Sequence, residues 1–453
     1  MTAFTLTITG DSIINHRIRD IEDTRFLQLM SVLQDSTVAV THFESLIHDY
    51  AGPDLHPAAE AGWTWMRSPA AVTEELAWLG IDAVSLASNH AGDYGTGGLV
   101  STWAALERAG IPHAGTGPDL DTARAPAFFF DRGRKFALVS MSSSVPASAI
   151  AASARGGIGG RPGVNPLRFQ HRVDAATMGR IEQLATELGF WCEQSATDRW
   201  LVHPPGLHNS IRRFEVDDDV DGARIVADPA DWDANLAAVR DAAARSDVAI
   251  VHIHNHEWDP EAGLEHPPAF IAEFARACID VGAAVVVAEG SHAPFRGIEL
   301  HRDGVIFYDP GELFMQSRHV TRLPQGFYER QQASPGDGIA DVLGARNVKG
   351  RSVVSPPGGY RAGPVDGGYL ATVSFDDAFV VTGVELVPYD RHRLPGEHGD
   401  VPRLARPETA TAILSRVDEL SAPYGTRVRE ASGRGIVTAG TDPAREHRGE
   451  SGT

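Results

Sequence analysis

Short apolar runs alternate with amphipathic helical patterns through the first quarter of the chain. Phe4–Asp11, Thr37–Glu44 and Ala83–Ala87 read as strands, with helical periodicity at Asp23–Leu33, Pro69–Leu79 and Gly98–Ala109. That alternation predicts a layered α/β fold. A hairpin is expected at Ala127–Phe130 and Phe136–Met141, turning at Asp131-Arg132-Gly133. The helix pattern Pro229–Ala244 leads into the strand Val248–His252, and helix Pro268–Val281 precedes strand Ala284–Ala288. A second hairpin is expected at Gly297–Tyr308, strands at Tyr369–Phe375 and Phe379–Pro388, and a helix at Glu408–Leu420. The order of elements predicts a two-sheet sandwich flanked by helices.

Two stretches break the pattern. Residues 142–209 loosen into Ala, Gly and Ser around Gly189-Phe190-Trp191-Cys192 and Arg199-Trp200-Leu201, which predicts an inserted lid over a site or a satellite subdomain. Arg318–Gly359 is irregular and rich in Gln, Gly, Pro and Arg. The expected organisation is one domain over 1–432, with 433–453 a polar, disordered tail.

The 453 residues are 42% hydrophobic and 22% charged, enough to bury a large core. A net charge of −20 argues against nucleic acid or an anionic membrane as partner. Met1-Thr2-Ala3 runs straight into the first strand with neither a basic n-region nor a cleavage motif, so the expected location is cytoplasmic. Cys192 and Cys278 are far apart, lack CxxC partners and are expected to be buried free thiols.

The chemistry lies where the apolar runs stop. Gly10-Asp11, His42-Phe43-Glu44-Ser45, Ser88-Asn89-His90, His252-Ile253-His254-Asn255-His256-Glu257 and Glu289-Gly290-Ser291-His292 each end a strand in a metal-competent residue. Open α/β sheets build their sites at the carboxyl ends of strands. Mixed carboxylate and imidazole ligands suit Mn, Fe or Zn, with Ca or Mg also open, as one ion or two. Side-chain alternation puts His252, His254 and His256 on one side of their strand. His254 is then the first choice as ligand and His252 the second, with His256 left to a supporting or proton-transfer part and Glu257 orienting an imidazole.

These residues resemble the CapA family of poly-γ-glutamate capsule proteins, within the calcineurin-like metallophosphatase superfamily. The resemblance runs through Gly10-Asp11, Glu44, Ser88-Asn89-His90 with Asp93-Tyr94-Gly95, His113-Ala114-Gly115-Thr116-Gly117, His254, Gly290-Ser291-His292 and Val305–Gly311, over about Thr5–Phe314. It implies a four-layer αββα core and a metal site fed by Asp11, Glu44, Asn89, His254 and His292. Two departures thin the phosphatase pattern: Asp11-Ser12-Ile13 lacks the His of Asp-x-His, and Gly290-Ser291-His292-Ala293-Pro294 replaces Gly-His-His-Pro-His. Within the family, the chain resembles the lasso-peptide epimerases that invert the C-terminal tryptophan of a ribosomal precursor peptide.

The expected function is therefore metal-dependent epimerisation of a precursor-peptide residue, with the metal on its carboxylate and His90 and His292 carrying protons. The alternatives are a metal-dependent hydrolase of a phosphoester, γ-glutamyl or peptide amide bond, and a noncatalytic scaffold that keeps the fold.

Overall fold

Two large sheets pack face to face in the computed structural model, which describes residues 4–61, 64–206, 211–348, 367–391 and 401–440. Strands β1 (Phe4–Ile13), β2 (Val38–Phe43), β3 (Ala83–Ser85) and the short β4 (His113–Ala114) run parallel, joined by α1 (Thr24–Gln34), α2 (Val72–Trp78) and α3 (Gly95–Ala109). The hairpin β5 (Ala127–Asp131) and β6 (Arg134–Ser142) opens the second sheet. An inserted unit follows, with β7 (Phe169–Val173), α4 (Ala175–Glu187), β8 (Trp191–Ala196), β9 (Arg199–His203), β10 (Arg212–Val216) and β11 (Ala223–Ala227). The second sheet resumes through α5 (Pro229–Arg245), β12 (Val248–His254), α6 (Ala269–Asp280), β13 (Val285–Glu289) and the hairpin β14 (Ile298–His301) with β15 (Gly304–Phe307). The chain then returns to the first sheet as β16 (Gly367–Phe375), β17 (Val381–Arg391), α7 (Pro407–Ser421), β18 (Thr426–Ala431) and β19 (Arg434–Ala439). The first sheet has the order β18-β19-β17-β16-β1-β2-β3-β4 and the second β14-β15-β13-β12-β6-β5.

Three apolar layers hold this together. Leu6, Ile8 and Val40 meet Leu138, Ile250, Val287 and Phe307 between the sheets. Phe26, Leu29, Leu76 and Leu106 of α1–α3 cover the other face of the first sheet at Ala39 and Val84. Val239 of α5 and Phe270, Phe274 and Cys278 of α6 cover the second at Val139, Val251 and Val286. The α6 residues recur at helical spacing and so form one buried stripe. The result is the expected helix, sheet, sheet, helix order. Because β12 is covered on both faces, every residue of Val248–His254 is buried, and the strand reads as a continuous apolar run. Polar residues appear only at its carboxyl end, where the sheets' rims meet.

Several boundaries differ from the sequence reading. The inserted unit is a five-stranded sheet, β8-β9-β10-β7-β11, packed with α4, so it extends past Asn209 to Ala227. Its strands β10 and β11 were hidden by their alternating polar residues. Trp191 at the start of β8 is 48% exposed and so does not fill a core. The expected tail begins instead with β19, which pairs with β18 across the tight turn Ser432-Gly433, both residues at positive φ. Residues 441–453 lie outside the described set. Helices Gln325–Arg330 and Ile339–Val348 occupy part of the stretch expected to be irregular, and 349–359 lies outside the described residues. Both cysteines are free, but Cys192 is only half-buried. Among the described residues, no helix is long and apolar enough to cross a membrane.

Candidate metal centre

Asp11 in β1 pairs in register with His42 in β2, and His254, the last residue of β12, pairs with Glu289, the last of β13. One pair comes from each sheet, and the packing of the sheets brings the two together. One ligand atom from each of Asp11, His42, His254 and Glu289 lies within 4.8 Å of the other three, and Glu44, His254 and His256 form a second such group. His254 belongs to both. Its Nδ1 is 3.7 Å from Asp11 Oδ1 and 3.8 Å from Glu289 Oε1, and its Nε2 is 3.7 Å from Glu44 Oε1. His42 Nδ1 is 3.5 Å from Glu289 Oε1, and its ring stacks on that of His254 at 4.8 Å.

Asn89 fixes how His254 presents itself. Asn89 Oδ1 lies 3.1 Å from His254 Nε2; with the proton on Nε2, the Nδ1 lone pair faces Asp11 and Glu289. The ring is seated by a glycine. Gly290 has φ +94°, and a Cβ there would stand 2.6 Å from His254 Cε1, so no larger residue fits without displacing the imidazole.

Asp11, His42, Glu44, His254 and Glu289 are all at most 1% exposed. Even so, Asp11 Oδ1, His42 Nε2, both Glu44 oxygens, His254 Nδ1 and both Glu289 oxygens have no hydrogen-bond partner among the described residues. Buried polar groups are normally paired, and unpaired carboxylates are the most costly to bury. Burial pushes the Glu44 and Glu289 carboxyls well above the ordinary carboxylate range, with the charge of Asp11 adding to both. Burial likewise holds His42 and His256 well below the ordinary imidazole range, helped by the neighbouring imidazoles. Neutral imidazoles and closely spaced carboxylates with free lone pairs form a donor set that a divalent cation satisfies.

Two imidazole–carboxylate pairs stand at the ends of this cluster. His90 Nδ1 lies 2.6 Å from Asp93 Oδ2, with its Nε2 3.8 Å from Glu44 Oε1. His292 Nδ1 lies 2.6 Å from Glu312 Oε1, and Arg391 Nη1 donates to Glu312 Oε2 at 2.5 Å. Burial alone would lower the His292 pKa, but the hydrogen bond and charge of Glu312 outweigh it and raise it. Arg391 and His292 in turn overcome burial at Glu312 and hold its carboxyl well below the usual range. His256 connects this pair to the cluster: its Nε2 is 3.3 Å from His254 Nε2, and its ring centroid is 4.9 Å from that of His292.

Of the ligands expected from sequence, Asp11, Glu44, Asn89 and His254 come together. His252 and His292 fall outside both groups. His252 lies one step deeper on β12, where its Nδ1 approaches Glu289 Oε2 at 3.4 Å from the core side, and burial lowers its pKa to about 3. His292 adopts a left-handed φ of 53° and binds Glu312 instead. Such a backbone conformation in a non-glycine residue is costly and is concentrated at functional sites. The sequence motifs contain His42 and Glu289 only as neighbours of the expected ligands Glu44 and His292, and they do not reach Glu312 or Arg391. His42 stands two residues before Glu44, on the same side of β2 by alternation, and that spacing was the available signal.

A sequence profile of known families adds an independent observation: that of the bacterial capsule synthesis protein PGA_cap family matches residues 5–317. The chain belongs to the PGA_cap family. The matched region spans every residue of both ligand groups. Two uncharacterized proteins of Sinorhizobium fredii, y4sH and y4uA, are each 28% identical over 445 residues, covering 96% of this chain and 93% of their own. The probable polyglutamine synthesis accessory protein Rv0574c of Mycobacterium tuberculosis is 29% identical over 233 residues, covering 51% of this chain and 44% of its own. This PGA_cap protein thus has a metallophosphatase-like α/β fold whose buried Asp/His/Glu cluster is suited to a metal ion.

Proposed function

We propose that this PGA_cap protein is a metal-dependent epimerase that inverts a Cα centre of a peptide, the C-terminal tryptophan of a ribosomal lasso-type precursor being the candidate residue. The observation that carries this reading is the pair of carboxylate-backed imidazoles, His90 with Asp93 and His292 with Glu312, at the two ends of the cluster. Asp11, His42, His254 and Glu289, with Glu44 and His256 beside them, would hold a divalent cation, which would supply Lewis acidity to a substrate carboxylate and so acidify the neighbouring Cα–H. In both imidazole pairs Nδ1 is committed to a carboxylate, which leaves Nε2 to take or give a proton. One Nε2 removes the Cα proton, and the other delivers a proton to the opposite face. Inversion is served by such a pair because the proton leaving one face is replaced from the other.

The test is incubation of the purified protein with a synthetic precursor peptide ending in tryptophan, in deuterated water with and without added divalent metal. Metal-dependent deuterium at Cα of the last residue supports the reading; no deuterium at any Cα under any metal overturns it. A second reading, hydrolysis of a phosphoester or amide by two ions, is favoured by the further donors Glu44 and His256 beside the first ligand group. Turnover of a generic phosphodiester that Asp11→Ala abolishes would favour that reading instead.

A further inference from the structure

The inserted sheet does not lie flat on the body. Between them runs a groove of about 870 Å³, lined on the body side by Ser143, Ser144, Glu257 and Trp258 and on the insert side by Phe169 of β7 and Arg212 and Arg213 of β10. That volume is near the upper end of ordinary ligand pockets, which span about 300–1,000 Å³. Its body-side wall is hydrogen-bonded to the segment that carries the metal centre. Ser144 Oγ accepts from the His256 backbone N–H at 2.7 Å, and Ser143 and Ser144 donate to the Glu257 carboxylate at 2.5 and 2.8 Å. The Glu257 charge is therefore already satisfied.

The groove's electrostatics oppose those of the chain. In a protein of net charge −20, four arginines line it (Arg161, Arg168, Arg212 and Arg213) against two glutamates, Glu60 and Glu257. Arg168 is taken up by a two-pronged bond to Asp231. Among the described residues, Arg161 spends only Nε, on the carbonyl of Ile150. Arg212 lies on the same face of β10 as Phe214, whose ring meets that of His171 in the groove wall; Arg212 is exposed and forms no ion pair among the described residues, whereas Arg213 alternates to the opposite face. Guanidinium groups kept free along a half-apolar groove present forks matched to carboxylates.

We propose that this groove binds the stretch of peptide substrate that precedes the reacting residue, and that Arg161 and Arg212 select stretches carrying aspartate or glutamate. The proposal rests on the peptide reading of the metal centre and adds to it a substrate class. Apolar side chains of the same stretch lie against Phe169 and Trp258, while its carboxylates face the arginines.

The experiment reads binding and not turnover. Fluorescence anisotropy compares the full chain's affinity for a labelled decapeptide of alternating Asp and Ala with that for its Asn/Ala counterpart. The expected result is that the acidic peptide binds about tenfold tighter, an advantage of about 1.4 kcal/mol. That advantage shrinks as salt is added. Arg161→Gln with Arg212→Gln removes the advantage and leaves the amide peptide's affinity and the metal content unchanged. Equal affinity for the two peptides, no binding of either, or an undiminished preference in the double variant overturns the proposal. The peptide exchange on the unaltered protein decides the matter even if the double variant folds poorly. Acid-selective binding without Cα exchange would remove the epimerase reading alone, whereas exchange without acid selectivity would remove the groove assignment alone.

Discussion

Glu289→Gln separates a metal ligand from a structural carboxylate. The substitution keeps the side chain's shape and removes a charge whose two oxygens are fully buried, unpaired and near the nitrogens of His42, His252 and His254. Without metal, burial and the charges of Asp11, Asp309 and Glu44 all disfavour the ionised carboxyl, so the metal-free variant melts no lower than the metal-free parent. With metal at one hundred times its dissociation constant, the parent gains about 2.7 kcal/mol. An unfolding entropy of about 2.1 cal/mol/K per residue over 453 residues gives about 0.95 kcal/mol/K, so that gain raises Tm by about 3 °C. Loss of a direct ligand weakens affinity by at least the roughly hundredfold seen for outer-shell partners. The variant's shift at the same metal concentration then falls to about 0.4 °C. Differential scanning calorimetry of chelator-treated protein, with and without Mn²⁺ or Zn²⁺, makes the comparison. A variant that keeps the full shift, or that melts several degrees lower without metal, would refute the reasoning.

Other consequences follow from the same geometry. His90→Gln and His292→Gln should each cut inversion of the Cα centre, read by chiral analysis of the hydrolysed peptide, by about a hundredfold or more while leaving metal content, measured by plasma emission, at the parent level. Raising the pH should strengthen metal binding and weaken the metal-free fold, because carboxyls held above their unfolded pKa contribute stability at low pH that is lost as they ionise. Calorimetric titration in buffers of different ionisation enthalpy should accordingly report protons released on metal binding, and none released would count against ligation by Glu44 and Glu289. Gly290→Ala should displace the His254 ring and lower metal affinity well beyond any loss of Tm, as read by equilibrium dialysis against the calorimetric midpoint.

The sheets and most of the rim were legible because strands buried on both faces must be apolar until they leave the core. Asp11, Glu44, Asn89 and His254 stand where those runs stop and so announced themselves. His42 and Glu289 did not: His42 lies inside β2, where a polar residue reads as an isolated core exception, and Glu289 ends β13 three residues before His292, the more obvious ligand type. Glu312 and Arg391 act on His292 from 20 and 99 positions away, separations that carry no local periodicity. The inserted sheet was misread for a related reason. Strands such as Arg212–Val216 and Ala223–Ala227 bury little, so their polar residues resemble a loop, and Asp-rich turns reinforce the resemblance.

The central claim is that the rims of the two sheets meet around a cation. Anomalous diffraction at the manganese edge, from crystals grown with Mn²⁺, tests it directly. The account predicts a peak within coordination distance of Asp11, His42, His254 and Glu289. A map with no peak at this cluster, or with its only peak elsewhere on the chain, would contradict it.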